Sequence, residues 1–301
     1  MRYYFAPMEG LTDSIYRRLH HKYFGGVDRY YMPFLSPTVH RALTPRESRE
    51  LPFADTVDFQ AVPQLLTKVP EDFLWAASQC AHRGYDEVNL NLGCPSGTVV
   101  AKGKGSGMLS NPDALDAFLE KIFAQCVLPI SIKTRLGISD PEEFPRLLEV
   151  FNRYPIKELT VHPRVRKAFY SGEVDMEMFR YALENSKNPL CYNGDIHTKA
   201  EAELLPTKSV MIGRGLIADP GMLCGGTTRT ALEPFMSELM EEYILSFGGS
   251  RNAMFRLKEQ WGMLLPRFEN SEILSKRLRK TTDMAEYRSI TAEIFATLPL
   301  V

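Results

Sequence analysis

Cys94 closes the run Asn91-Leu92-Gly93-Cys94-Pro95, just past a short alternating segment and ahead of a loop with glycines at 97, 103, 105 and 107. A free cysteine more often packs as a small apolar residue. A thiol beside a proline that fixes the backbone, and before a segment free to move, is instead placed for chemistry. Its company favours that reading. Polar residues follow other short apolar segments in the same way: Pro7-Met8-Glu9, Pro63-Gln64, Lys133-Thr134-Arg135, His162 with Arg164, Asn193-Gly194-Asp195 and Gly213-Arg214-Gly215. The set combines a thiol able to give a proton, cations able to meet developing negative charge, and glycine corners able to hold a phosphate with backbone N–H groups.

The elements that must position these residues repeat along the chain. Eight apolar segments, at 3–7, 29–32, 58–62, 86–91, 129–133, 158–162, 189–192 and 209–212, alternate with helical patterns. That alternation predicts an α/β fold of the (β/α)8 TIM-barrel class, with its chemistry at the C-terminal strand ends. Seven of the eight segments end in polar residues, which would converge on one mouth. The pairs Asn111-Pro112 and Asp140-Pro141 each set a capping side chain before a proline, and Val69-Pro70 opens another helix. The stretch 33–52 has little periodicity and reads as a long loop. Beyond residue 230 the strand signals stop, and helices are expected near 233–247, 251–267, 270–279 and 283–296. The expected organisation is a barrel over 1–230 followed by a small all-helical domain over 231–301.

Composition narrows the class. A net charge of -1 makes no global case for a polyanionic partner. Within 251–301, however, nine basic residues face six acidic ones, and Lys276, Arg277, Arg279 and Lys280 cluster. A solvated helix face accounts for that cluster as well as a phosphate contact does. Five cysteines without a CxxC pair suggest neither a disulfide framework nor a metal site. The N-terminal run meets Pro7 too early for a signal peptide or a spanning helix, so a cytoplasmic protein with no membrane partner is expected. The loop Gly103-Lys104-Gly105-Ser106-Gly107 lacks the Gly-Lys-Ser/Thr ending of a P-loop.

Taken together, Asn91-Leu92-Gly93-Cys94-Pro95, Ala6-Pro7-Met8, Val62-Pro63-Gln64-Leu65, Lys133-Thr134-Arg135, His162, Asn193-Gly194-Asp195-Ile196 and Gly213-Arg214-Gly215 resemble the tRNA-dihydrouridine synthases. The likeness runs in order over residues 3 to 225, and the helical tail is similar to that family's C-terminal domain. It implies FMN as cofactor, NADPH as reductant and uridine in tRNA as substrate, reduced to 5,6-dihydrouridine. By the same resemblance, Cys94 is the proton donor. Pro7, Met8 and Glu9 would lie against the flavin and Gln64 on its polar edge. Lys133 and His162 would hold the cofactor, with Asn193, Gly194, Asp195, Gly213 and Arg214 around its phosphate. Asn91 would touch the uracil, and for the tRNA substrate so implied, Arg135, Arg164, Arg166, Lys102 and Lys104 around the expected mouth are candidates to hold the surrounding RNA. The chain departs from the family's frequent His-Gly-Arg-Thr after the sixth strand, where His162-Pro163-Arg164-Val165 loses a flexible residue and a hydroxyl.

The implied chemistry suits these residue types. Adding hydride at C6 of uracil pushes negative charge toward O4 and C5, so a proton donor must complete C5. A base inside folded tRNA must leave its stack to reach a barrel mouth. Two other readings remain open from the residues alone: an FMN barrel acting on a free pyrimidine, as dihydroorotate dehydrogenases do, and an RNA-binding protein on a catalytically silent barrel.

Overall fold

The computed structural model describes residues 1–38 and 40–301. Its sheet comprises β1 (Arg2–Phe5), β2 (Arg29–Tyr31), β3 (Ala61–Val62), β4 (Gln64–Leu65), β5 (Val88–Leu92), β6 (Ile130–Arg135), β7 (Leu159–His162), β8 (Leu190–Asn193) and β9 (Ser209–Ile212). The lateral order is β3-β2-β1-β9-β8-β7-β6-β5-β4. Since β3 and β4 are consecutive halves of one strand, this order nearly closes the sheet into the expected TIM barrel. Pro63, between those halves, has no N–H to give the ladder, but its carbonyl still accepts from Asn89 N at 2.8 Å.

These strands form because both faces are covered. Every residue of β5, β7 and β9 is buried, the pattern of parallel strands walled by helices. Alternate positions point inward, where Tyr4, Ala6, Tyr31, Val62, Cys191 and Met211 make one core cluster. The helices begin where their caps predict. Asn111 accepts from Ala114 N at 3.0 Å to start Pro112–Gln125, and Pro70 opens Pro70–His82. Asp140 caps a 3-10 turn, Pro141–Glu143, that leads into Phe144–Phe151.

The stretch 33–52 departs from the loop expected there, although Val39 within it lies outside the described residues. It carries a helix, Pro45–Glu50, closed by a capping box. Glu47 N donates to Thr44 Oγ1 at 3.2 Å and Thr44 N donates to Glu47 Oε2 at 2.9 Å. Six residues are too few to show an apolar period, so only the local pair Thr44-Pro45 and the Thr44-x-x-Glu47 spacing announced it.

The chain divides into two compact units. One comprises Met1–Pro7, Asp28–Asp195 and Leu204–Met211, and the other Met8–Val27, Ile196–Glu203 and Ile212–Val301. The second unit holds the helices Ser14–Tyr23, Arg229–Ser246, Ser250–Leu264, Glu272–Lys280 and Met284–Thr297. The last four match the helical stretches expected from the sequence. Phe235 packs edge-on to Tyr16 at 5.4 Å and to Phe24 at 5.2 Å, so the early helix shares a core with the tail. Trp261 is buried against Phe268 and Phe295, and its indole N–H donates to Tyr287 Oη at 2.8 Å. Tyr287→Phe leaves that donor buried without its acceptor, and the expected cost is about 1–3 kcal/mol. A lower urea midpoint for the variant checks it.

Candidate active site

The site in the first unit is built from alternation and register. Residues 89 and 91 of β5 point inward, as do 131, 133 and 135 of β6. Strand pairing sets Asn91 beside Lys133, Lys133 beside Thr160, and Arg135 beside His162. Within this lining a chain of amides runs across strands. Asn91 Nδ2 donates to Gln64 Oε1 at 2.7 Å, Gln64 Nε2 to Asn89 Oδ1 at 2.8 Å, and Asn89 Nδ2 to Ser131 Oγ at 2.9 Å. Each link fixes which end of the next amide accepts, so the orientation of Asn91 is set from the barrel interior. Asn89 and Ser131 escaped the sequence reading. The signal was their spacing, two residues before Asn91 and Lys133 on the same face.

Asn91 passes this order on to the corner. Its Oδ1 accepts from Gly93 N at 3.1 Å and from Cys94 N at 2.9 Å. The opposite side of the corner is held as well. Arg135 Nε donates to Gly93 O at 2.9 Å, and Ser106 Oγ donates to Cys94 O at 2.7 Å. Cys94, half-buried, is therefore held by both backbone groups. Gly105, at φ +58, lies so close that a Cβ there would stand 3.1 Å from Cys94 Cβ. Only glycine fits this approach without displacement.

Arg135 is 2% exposed, and its Nη1 also donates to Val165 O at 3.2 Å, tying the Cys94 corner to the loop after β7. Its guanidinium lies 5.4 Å from the ring centroid of Tyr170, which is half exposed and was not singled out by the sequence. Arg164 is likewise buried. It faces His162 Nε2 at 3.2 Å and pairs with Asp195, a residue in the left-handed region at φ +31. Asn193 Nδ2 donates to Met211 O at 2.7 Å, which anchors the start of the Asn193-Gly194-Asp195 corner. Pro7 follows β1 in the same unit.

Lys133 is the electrostatic centre of this lining. Burial, and then the charge of Arg135, pull its ammonium down to about 7, while the thiols of Cys191 and Cys94 act weakly the other way. Among the described residues, no carboxylate is one of the groups that shift it. Such a cation is poised to meet an anion supplied from outside the chain.

Met8, Glu9, Gly213 and Arg214 belong to the second unit. There Met8 O accepts from Leu11 N and Thr12 N at 3.0 Å, making a tight turn ahead of the helix Ser14–Tyr23. Gly213 precedes the short helix Arg214–Ala218, and Gly215 meets Ile196 O so closely that a Cβ would stand 2.2 Å from it.

The family described as Dihydrouridine synthase (Dus) matches residues 4–296. A probable tRNA-dihydrouridine synthase of Rhizobium leguminosarum bv. phaseoli is 28% identical over 280 residues, covering 87% of this chain and 84% of its own. One of Rickettsia bellii (strain RML369-C) is 30% identical over 226 residues, covering 72% and 68%. The tRNA-dihydrouridine synthase B of Pasteurella multocida (strain Pm70) is 28% identical over 224 residues, covering 73% and 67%. Among solved structures, the old yellow enzyme homologue of Zymomonas mobilis superposes with a TM-score of 0.51 at 12% identity, covering 73% of this chain and 86% of that one. At that identity the likeness concerns the fold alone.

The position of Lys133 carries a consequence for stability. In the unfolded chain it titrates near the ordinary lysine value of 10.5, and in the folded chain near 7. Between those values the unfolded state binds the extra proton, so folding stability rises with pH across that window. Lys133→Met should therefore be more stable than the parent below pH 7 without ligand, with the gap closing toward pH 10. Melting temperatures over that range check it.

Proposed function

The chain belongs to the dihydrouridine synthase family, an oxidoreductase family, and on that premise we propose that it reduces uridine in tRNA to 5,6-dihydrouridine, with FMN as cofactor and NADPH as reductant. The observation that carries this reading is the corner at Cys94. Its peptide is fixed on both sides, by Asn91 Oδ1 on the N–H and Ser106 Oγ on the carbonyl, and it stands one strand from Lys133.

The donor set fits a flavin mononucleotide. Lys133, an ammonium drawn down by burial with no carboxylate among the described groups acting on it, would regain its full charge beside the ring edge that becomes anionic on reduction. Gln64, His162 and Pro7 would line the ring, with Met8 and Glu9 after Pro7. The corner 193–195 would take the phosphate. When bound and reduced, FMN supplies hydride to C6 of the uracil. The remaining work falls to the chain. The thiol of Cys94 gives its proton to C5, the carbon left electron-rich. Asn91 holds the thiol's peptide in place and has a second amide N–H to offer a uracil carbonyl. Arg135 fixes the corner from below, and the loop 97–107, joined to Cys94 through Ser106, keeps water from the reacting carbons.

Arg135 and Arg164 are buried on the carbonyls of Gly93, Val165 and Gly172 and on Asp195, so they would act on the RNA by shaping the loop after β7 that the ribose and phosphate beside the extruded base would pass. The helical segment 231–301 supplies a second surface for the tRNA. Within it Arg277 is taken up by Glu293 at 2.8 Å, which leaves Lys276, Arg279 and Lys280 as its phosphate contacts. The barrel over 1–230 would then serve as the catalytic domain. No helix among the described residues is long and apolar enough to cross a membrane, and a tRNA substrate assigns the enzyme to the cytoplasm.

Mass spectrometry of nucleosides from a tRNA incubated with protein, FMN and NADPH tests the proposal. Dihydrouridine is expected from the parent chain, with Cys94→Ala lowering its rate of formation by about 10²–10⁴, the usual worth of a general acid. A parent that reduces free uracil but leaves tRNA untouched would point to a pyrimidine dehydrogenase instead.

A further inference from the structure

We propose that Ser36, Lys68, Lys102 and Lys104 form a binding site for the phosphodiester backbone of the RNA substrate. This deepens the function proposed above and rests on it. The four residues lie in the first unit, on the segments after β2 and β4 and on the loop after β5.

Lys104 is half-buried, and its Nζ donates to Ser36 Oγ at 3.1 Å. Lys68 reaches over the same loop. Its Nζ stands 3.3 Å from where a Cβ on Gly103 would be, a space kept open because residue 103 is a glycine at φ +67. Lys102, one residue earlier, is exposed, as is Lys68. Burial lowers the Lys104 ammonium, and the charges of Lys102 and Lys68 lower it further. Three like charges are thus gathered around one loop, and two of them bear on the third.

The carboxylates nearby do not offset that gathering. Asp72 acts favourably on Lys104, but Arg41 already holds it at 3.6 Å. Glu47 is engaged by Ser36 N at 3.1 Å and by the cap of its own helix. An anion from outside balances the lysines, each of which brings three N–H donors. With two lysines exposed, the site lies open along a rim, and such a rim suits the backbone of a chain rather than an enclosed small phosphate.

The location adds a role beyond affinity. Ser106 is two residues past Lys104, and both its N–H and its hydroxyl bond the carbonyl of Cys94, at 3.2 and 2.7 Å. A phosphate on Lys104 would fix the loop that backs the thiol, so seating of the RNA and placement of the acid are joined through three residues of chain.

The test is fluorescence anisotropy of an end-labelled tRNA transcript with the FMN-loaded parent and the triple variant Lys68→Ala/Lys102→Ala/Lys104→Met, over a range of salt. The variant should bind about tenfold or more weakly at low salt. The slope of log K against log[salt] should fall in magnitude by about two, the share of two to three lost phosphate contacts. Circular dichroism should match the parent and melting should be no lower, and the exposed single change Lys102→Glu should weaken binding in the same direction without touching the half-buried position. The Michaelis constant for NADPH should not change. Unaltered tRNA affinity and slope in both variants, with a parent that binds tRNA, would overturn the site and leave the proposed function standing. A raised constant for NADPH with tRNA binding intact would reassign the lysines to the dinucleotide's phosphates. A parent that neither binds nor modifies tRNA would overturn both.

Discussion

A single side-chain carbonyl, Asn91 Oδ1, accepts from the backbone N–H groups of both Gly93 and Cys94, and the placement of the thiol depends on it. Backbone donors leaving a strand inside a barrel have no next strand to pair with, and leaving them unmet would cost about 1–3 kcal/mol each. Asn91 meets both from within the strand they leave. Its own orientation is not free, because Gln64 takes its N–H and donates in turn to Asn89, which donates to Ser131. The corner therefore inherits the rigidity of three strands. Arg135 on Gly93 O and Ser106 on Cys94 O complete the clamp from the opposite side.

The polar lining that makes this possible works against the barrel as a core. An apolar interior would fold without needing each amide to find a partner, whereas this one carries a half-buried lysine whose charge burial disfavours. The cost falls where an anionic ligand can relieve it. Tyr4, Val62 and Met211 supply apolar packing within the same lining, and a second buried polar set lies where the strands begin, with Ser209 Oγ donating to Glu158 at 2.7 Å. A stability penalty relieved by ligand is the expected signature of a preorganised site.

Much of this was legible in the sequence because parallel strands buried on both faces leave short apolar runs, and because the polar residue ending each run is out of keeping with it. Asn111, Asp140 and Pro70 marked their helices through local capping chemistry, which operates within a few residues. The helix at Pro45–Glu50 was missed since its signal was a single Thr44 and Glu47 pair without an amphipathic face. Arg135 read as a rim cation, and the structure buries it on two backbone carbonyls. Nothing local could have revealed that, because its partners, Gly93 and Val165, lie 42 and 30 residues away. Asn89 and Ser131 were legible only through period two, and their role required knowing that β4, β5 and β6 are neighbours.

In the proposed function, Cys94 is the acid for one half of a two-step redox cycle. Anaerobic rapid mixing separates those halves. Flavin reduction by NADPH should proceed at the same rate in the parent and in Cys94→Ala, while reoxidation by tRNA should slow by about a hundredfold or more in the variant. Equal reoxidation rates in the two proteins would contradict the account, since the proton to C5 would then come from elsewhere.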